Sequence, residues 1–243
     1  MSEPIAPIRI TLRIPGKWPH PRELLAALPA DCRLTPKALI LADGTKVDFD
    51  PMPPDDQFAD IFRSSCRRPA TPDELATVDA YTVNVCLSGP GGSQAAALQM
   101  MRAGAAIVKA GGAGVFIDNS ALAHGGQNWL EMTEDGGSDA LSFAFVSLIS
   151  SPTEVWTMGM HVLGLRDVIM KRVDADDFDI IEVIRYLCQS EKPIENGHIL
   201  ADLEGPRFTA FVEESPEMPE GSPMHNPFGR LRLVSTRDIA EKN

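Results

Sequence analysis

The segment from Tyr81 to Asp118 constrains this chain more than any other. Tyr81-Thr-Val-Asn-Val-Cys-Leu87 has the character of a strand, Ser88-Gly-Pro-Gly-Gly92 is a glycine turn, and Ser93–Lys109 is a helix made largely of small residues. A second glycine turn leads into the apolar run Val115–Asp118. The pattern is a β-α-β crossover, in which a helix joins two strands of the same direction. Its helix carries Ala95, Ala96, Ala97, Ala103, Gly104, Ala105 and Ala106. Small residues on nearly every side imply that the helix packs closely on more than one face.

The flanking segments alternate strands with short helices. Ile8–Ile14 has the period of a half-buried strand and Pro15-Gly16 ends it. Pro21–Leu28 reads as a helix, and Ala38–Ala42 with Lys46–Asp50 reads as a hairpin turned by Asp43-Gly44. After Pro51-Met-Pro-Pro54, Asp55 or Asp56 is placed to cap a helix running to about Ser64. Ser65–Pro72 is a basic connector, and Thr71-Pro-Asp-Glu74 has the spacing of a capping box.

Beyond the crossover, Gln127–Met132 and Ser138–Leu148 are predicted helices and Glu154–Leu163 a strand, with Asp167–Arg172 as its partner. Asp174–Gln189 is an amphipathic helix presenting Phe178, Ile181, Ile184 and Leu187, with Cys188, on one face. His198–Leu203 and Arg207–Val212 form a hairpin, and Gly229–Val234 is a final strand. The acidic, proline-rich Glu213–Pro227 is expected to be a mobile surface loop. Together these give an α+β fold: mixed β-sheets with a central β-α-β crossover, flanked by β-α-β-β-type segments at both ends. A single domain over 1–243 is expected, divisible into 1–66, 71–150 and 151–243.

Composition narrows the function classes. The chain has 243 residues, 44% of them apolar, which suffices to bury a core without metals or disulfides. A net charge of −12 argues against nucleic-acid and anionic-membrane partners. No basic run exceeds two residues, as at Arg67-Arg68. Cys32, Cys66, Cys86 and Cys188 stand far apart, without metal spacing, so neither a disulfide framework nor a metal is implied, nor any other cofactor. With no secretory signal and no run long enough to span a bilayer, a cytoplasmic location is expected.

From about Tyr81 onward the chain also resembles a bacterial family catalogued as a domain of unknown function, family 4261. The likeness lies in the strand Tyr81-Thr-Val-Asn-Val85 and in Trp156-Thr-Met-Gly-Met-His-Val-Leu-Gly-Leu-Arg-Asp-Val168. The resemblance implies an α+β fold and no activity or catalytic residues.

Candidate chemistry gathers at the crossover. Gly89, Gly91, Gly92 and Ser93 lie between a strand and a helix N-terminus, where free N–H groups and the helix dipole favour an anion. The turn lacks the Gly-Lys-Ser/Thr of a phosphate loop and the spacing of a dinucleotide fingerprint. Asp118, Asn119, Ser120 and His124 follow the second strand and should emerge at the same sheet edge. Asp118, Ser120 and His124 are the residue types of a hydrolytic triad, without a nucleophile elbow. His161 reads as a hydrogen-bonded histidine, Cys86 as an inert thiol, and the acids at 174–179 as helix-start charges. The function expected is therefore non-catalytic protein or ligand binding, with a protein partner or a second copy as possible partners. The alternative is an enzyme or anion binder acting at Gly89–Ser93 and Asp118–His124.

Overall fold

The computed structural model describes residues 7–174, 177–190, 192–202, 205–215 and 218–240. They form an α+β fold with two sheets. The first runs β2 (Arg33–Leu34), β3 (Ala38–Ile40), β4 (Lys46–Met52), β5 (Val83–Pro90), β1 (Arg9–Gly16), β6 (Gly114–Ile117), β7 (Leu122–Gly125), with every pair antiparallel. The second runs β11 (Ile199–Asp202), β12 (Gly205–Glu213), β13 (Arg230–Ser235), β10 (Asp167–Lys171), β9 (Glu154–Met158), β8 (Ser147–Ser150). It is mixed, because β10 and β13 are parallel.

The crossover is present with one difference. β5 and β6 point the same way, joined by α4 (Gln94–Lys109), but β1 lies between them and pairs antiparallel with both. The first strand of the chain thus fills the gap that the crossover leaves. Both sheets share a winding. A helix carries the chain from an inner strand to the far edge: α1 (Pro21–Ala27) leads from β1 to β2, and α7 (Asp177–Gln189) from β10 to β11. A meander then returns to lie beside the starting strand. The return leg has four strands in the first sheet and three in the second, so it ends antiparallel to β1 but parallel to β10.

Alternation along the strands gives the first sheet two covered faces. Val115 and Ile117 of β6 face one core with Ile10, Leu12 and Ile14, under α4 and α5 (Gly126–Asp135). Phe116 and Ala123 face a smaller core with Phe58 and Phe62 of α2 (Phe58–Ser65) and Val78 of α3 (Pro72–Asp79). The small residues of α4 have the reason expected of them: a Cβ on Gly104 would lie 2.9 Å from the Trp129 indole nitrogen. The larger core continues through α6 (Ser138–Phe145) and α7 into the second sheet, where Val168, Met170, Leu231 and Leu233 join it. Among the described residues no helix is long and apolar enough to cross a membrane.

Several boundaries differ from the sequence reading. β5 runs on through Gly89 and Pro90, because Ile10 and Arg9 continue to pair with them. α2 has Gln57 rather than an aspartate at its N-cap, while the Thr71–Glu74 capping box forms. α6 stops at Phe145 and Ser147–Ser150 is a strand, β8. β9 stops at Met158, because Gly159 takes φ +103 and turns the chain into a 3-10 turn, Met160–Leu163. In α7 the buried stripe is Ile180, Val183, Ile184, Leu187 and Cys188, and Ile181 is exposed. The side chain of Phe178 and residue Asp176 lie outside what is described, as does the tip of the β11–β12 hairpin at 203–204.

Candidate functional site

The two loops of the crossover do leave the sheet at one edge, on either side of the start of β1. Pro90 pairs with Arg9, and the Asp118 N–H donates to Thr11 O at 3.0 Å. The edge is not an open crevice, however, because the C-terminal half of the chain fills it. The Gly91 N–H donates to Ile8 O and the Gly92 N–H to Val162 O of the 3-10 turn, each at 2.9 Å. Gly92 sits at φ +82, and a Cβ on Gly164 would meet Gly92 O at 2.5 Å. Ser93 caps α4 by accepting from the Ala96 N–H, and Gly89 lies against Met100. The side chain of Gln94 bonds Cys188 O and accepts from Ser138. The backbone donors that an anion would use at Gly91 and Gly92 are thus engaged by the chain itself.

The second loop is shorter than the sequence reading has it, because Leu122–Gly125 pairs with β6 as β7 and holds His124 in a strand, and it is equally occupied. Asp118 takes both its contacts from Arg13 Nε, at 2.7 and 3.0 Å, and this pair raises the guanidinium further above its usual range. Asn119 is buried with its hydrogen bonds complete: Oδ1 accepts from the Thr11 N–H, and Nδ2 donates to Arg9 O and Pro223 O. Ser120 is buried and its Oγ has no partner. His124 is buried and its Nε2 lies 3.0 Å from Ala144 O, which can only accept, so Nε2 carries the proton. No hydrogen bond joins any two of Asp118, Ser120 and His124 among the described residues. Burial pulls the His124 imidazole down to about 4, and it is neutral near pH 7.

The element that closes this edge is the segment expected to be a mobile loop. Pro223 O accepts from Asn119 and from Nε2 of His161, the latter at 3.0 Å. Asn226 is buried and donates to Leu165 O and to Asp167 Oδ2 at 2.8 Å. Asp167 Oδ1 accepts from the Thr157 hydroxyl and the Met160 N–H. Three neutral donors hold the Asp167 carboxylate, yet burial still raises it to about 6. His161 is pulled down to about 4, again by burial first. Acidic, proline-rich composition reads as exposure, but Asn226 and the Pro223 carbonyl anchor this loop into the molecule.

A cavity of about 390 Å³ opens elsewhere, walled by α6, α7, β8 and the start of β7. Leu122, Val146, Leu148 and Ile184 form its apolar lining, with Ile181, Asp139 and Arg185 at the mouth. Arg67, half-buried, also lines the cavity. Its position follows from local pairing: α2 ends at Ser65, Cys66 bridges Ala123, and the Arg67 N–H donates to Ala123 O. The connector therefore runs along the edge of β7 and aims the guanidinium at the end of α6. There Nη1 donates to Phe143 O at 2.7 Å and Nη2 to Val146 O, carbonyls that the helix end leaves without partners. The guanidinium carbons of both Arg67 and Arg68 lie 4.8 Å from the centre of the Phe143 ring. His124 lies beside the same ring, with centroids 6.0 Å apart.

No carboxylate lies within ion-pair distance of Arg67 among the described residues. Burial alone pulls its guanidinium down to about 10, so it remains charged at neutral pH. In the sequence Arg67-Arg68 stands out only as a basic run. The usable signal is three arginines, Arg63, Arg67 and Arg68, with no acid between Asp60 and Asp73, in a chain richer in acids than bases. Nothing in the sequence ties them to Phe143, which is 76 residues away from Arg67. Among the described residues no group of three or more His, Cys, Asp or Glu side chains is placed to hold a metal ion. Comparison of the chain with protein-family models, with curated proteins and with solved structures finds no match in any of the three.

Proposed function

We propose that this chain is a non-catalytic binding domain whose ligand enters the cavity beside Arg67. One observation carries the reading: a half-buried guanidinium with no carboxylate partner among the described residues borders a cavity of about 390 Å³ with an apolar lining. A charge partly withdrawn from water without a counter-charge carries a cost, and an anion would reduce it. The volume falls within the range of small-molecule sites. The residue types that would carry hydrolysis are separated, each with its own surroundings, which favours binding over turnover. The resemblance to the uncharacterised bacterial family adds no reaction.

The test is a thermal-shift screen of small anions, repeated on Arg67→Ala. A true ligand at a hundredfold over its Kd adds about 2.7 kcal/mol of stability. Shifts equal in both proteins would show that the cavity is not the site.

A second reading places an enzyme or anion binder at Gly89–Ser93 and Asp118–His124. The buried, unpartnered hydroxyl of Ser120 is the observation in its favour. That reading requires the 3-10 turn and the strap to leave the edge. An anion whose thermal shift disappears in a Ser120→Ala, His124→Ala double variant, yet survives Arg67→Ala, would establish it over the first.

A further inference from the structure

Resting on the cavity as the binding site, we infer that its ligand is a monocarboxylic acid with an apolar body: carboxylate on Arg67, hydrocarbon among Leu122, Leu148, Ile181 and Ile184. Three features define this class.

The first is the donor inventory. A guanidinium has five N–H groups, and Arg67 uses two on Phe143 O and Val146 O. Three remain without an acceptor among the described residues, and the two carbonyls fix the plane in which they point. A planar carboxylate matches such a fork with two parallel hydrogen bonds.

The second is the charge around the cavity. Arg67 faces it from the connector, Asp139 from α6 and Arg185 from α7, with Arg68 over the Phe143 ring. Arg185 is held by Asp139 at 3.6 Å and by Glu182 at 2.8 Å, so its charge is answered. Among the described residues that line the cavity, Arg67 is the one unanswered cation, which calls for one negative charge. A phosphate dianion would bring a second beside Asp139, where like charges repel.

The third is what the wall lacks. The hydroxyl protons of Ser142 and Ser147 go to Asp139 O and Met158 O. A sugar or nucleotide, which needs several directed donors, would find chiefly apolar surface. An aliphatic or aryl chain loses nothing there and buries its area.

Calorimetry on the full chain with octanoate, 1-octanol and octyl phosphate separates the outcomes. Octanoate should bind with one-to-one stoichiometry, at least about tenfold tighter than either analogue, as a charge-assisted fork predicts. Arg67→Lys keeps the charge and loses the fork, and should weaken octanoate about tenfold while leaving octanol unchanged. Because Arg67 also caps α6, Ile181→Trp supplies a variant that fills the mouth and leaves the guanidinium alone. It should abolish octanoate binding with the circular dichroism spectrum and melting temperature retained. Octyl phosphate or octanol binding as tightly as octanoate would overturn the ligand class and leave the cavity as the site. Octanoate binding unaffected by Ile181→Trp, or no binding of any of the three probes, would overturn the inference and the cavity reading together.

Discussion

The strap seam and the Arg67 cavity both bury polar groups between the two halves of the molecule, and they differ in how those groups are satisfied. At the seam, Asn119, His161, Asp167 and Asn226 give nearly every donor and acceptor to each other or to backbone. At the cavity, one guanidinium keeps three N–H groups next to empty volume. The seam is the more polar of the two, yet it resembles a core, because a closed network specifies a packing. Buried polarity is therefore a poor guide to a ligand site. Unengaged donors beside space are the better one.

The contrast can be broken at the seam first, where the largest effect is expected. Asn119→Ala removes three buried hydrogen bonds at once and should destabilise the fold by about 3 kcal/mol or more. Urea unfolding measures that loss, and limited proteolysis should cut within 214–229 sooner than in the parent. A variant as stable and as resistant as the parent would mean that the seam is not closed.

Protonation probes the same seam with opposite signs. Asp167 rises from 3.8 to about 6 on folding, so the folded state holds the proton more tightly and stability falls as pH rises through that window. His124 and His161 fall from 6.5 to about 4, so stability rises with pH between those values. Asp167→Asn removes only the first contribution. Its stability relative to the parent should improve by about 3 kcal/mol between pH 4 and pH 6.5, from two pKa units at about 1.4 kcal/mol each. Unfolding curves at several pH values with a constant difference would show that Asp167 does not titrate there.

Smaller effects belong to the cavity and to the orphaned hydroxyl. Arg67→Ala should cost about 1–2 kcal/mol, through the lost α6 cap and ring contact, well below the loss at Asn119. A loss as large as that of Asn119→Ala would make Arg67 a structural member of a closed network. Ser120→Ala should be neutral or stabilising by up to about 1 kcal/mol, because it deletes a buried hydroxyl that bonds nothing. A marked destabilisation by Ser120→Ala, measured by the same urea curves, would reveal a partner for Oγ.

Local signals in the chain were legible and long-range ones were not. The capping box at Thr71, the tight small-residue helix α4 and the common direction of β5 and β6 follow from patterns within a few residues. The insertion of β1 between β5 and β6 does not, because an N-terminal strand has no local mark of where it pairs. The end of β9 at Gly159 is set by a positive φ, which an apolar run conceals. Both sites depend on contacts across the chain: Asn119 with Pro223 is 104 residues apart, and Arg67 with Phe143 is 76. The glycine turn was legible as a place of free donors. What could not be read was that Val162 would arrive to take one of them.

The count of strands in each return leg also limits how such a molecule can change. Since direction reverses at every hairpin, removal of β2 with β3 would leave β5 running as it does, whereas removal of one strand would reverse its neighbour's polarity and misplace every connecting loop. Descendants of this architecture can therefore grow or shrink by pairs at the outer rim, and a lineage that gained a single strand would have to rebuild its helical crossover as well.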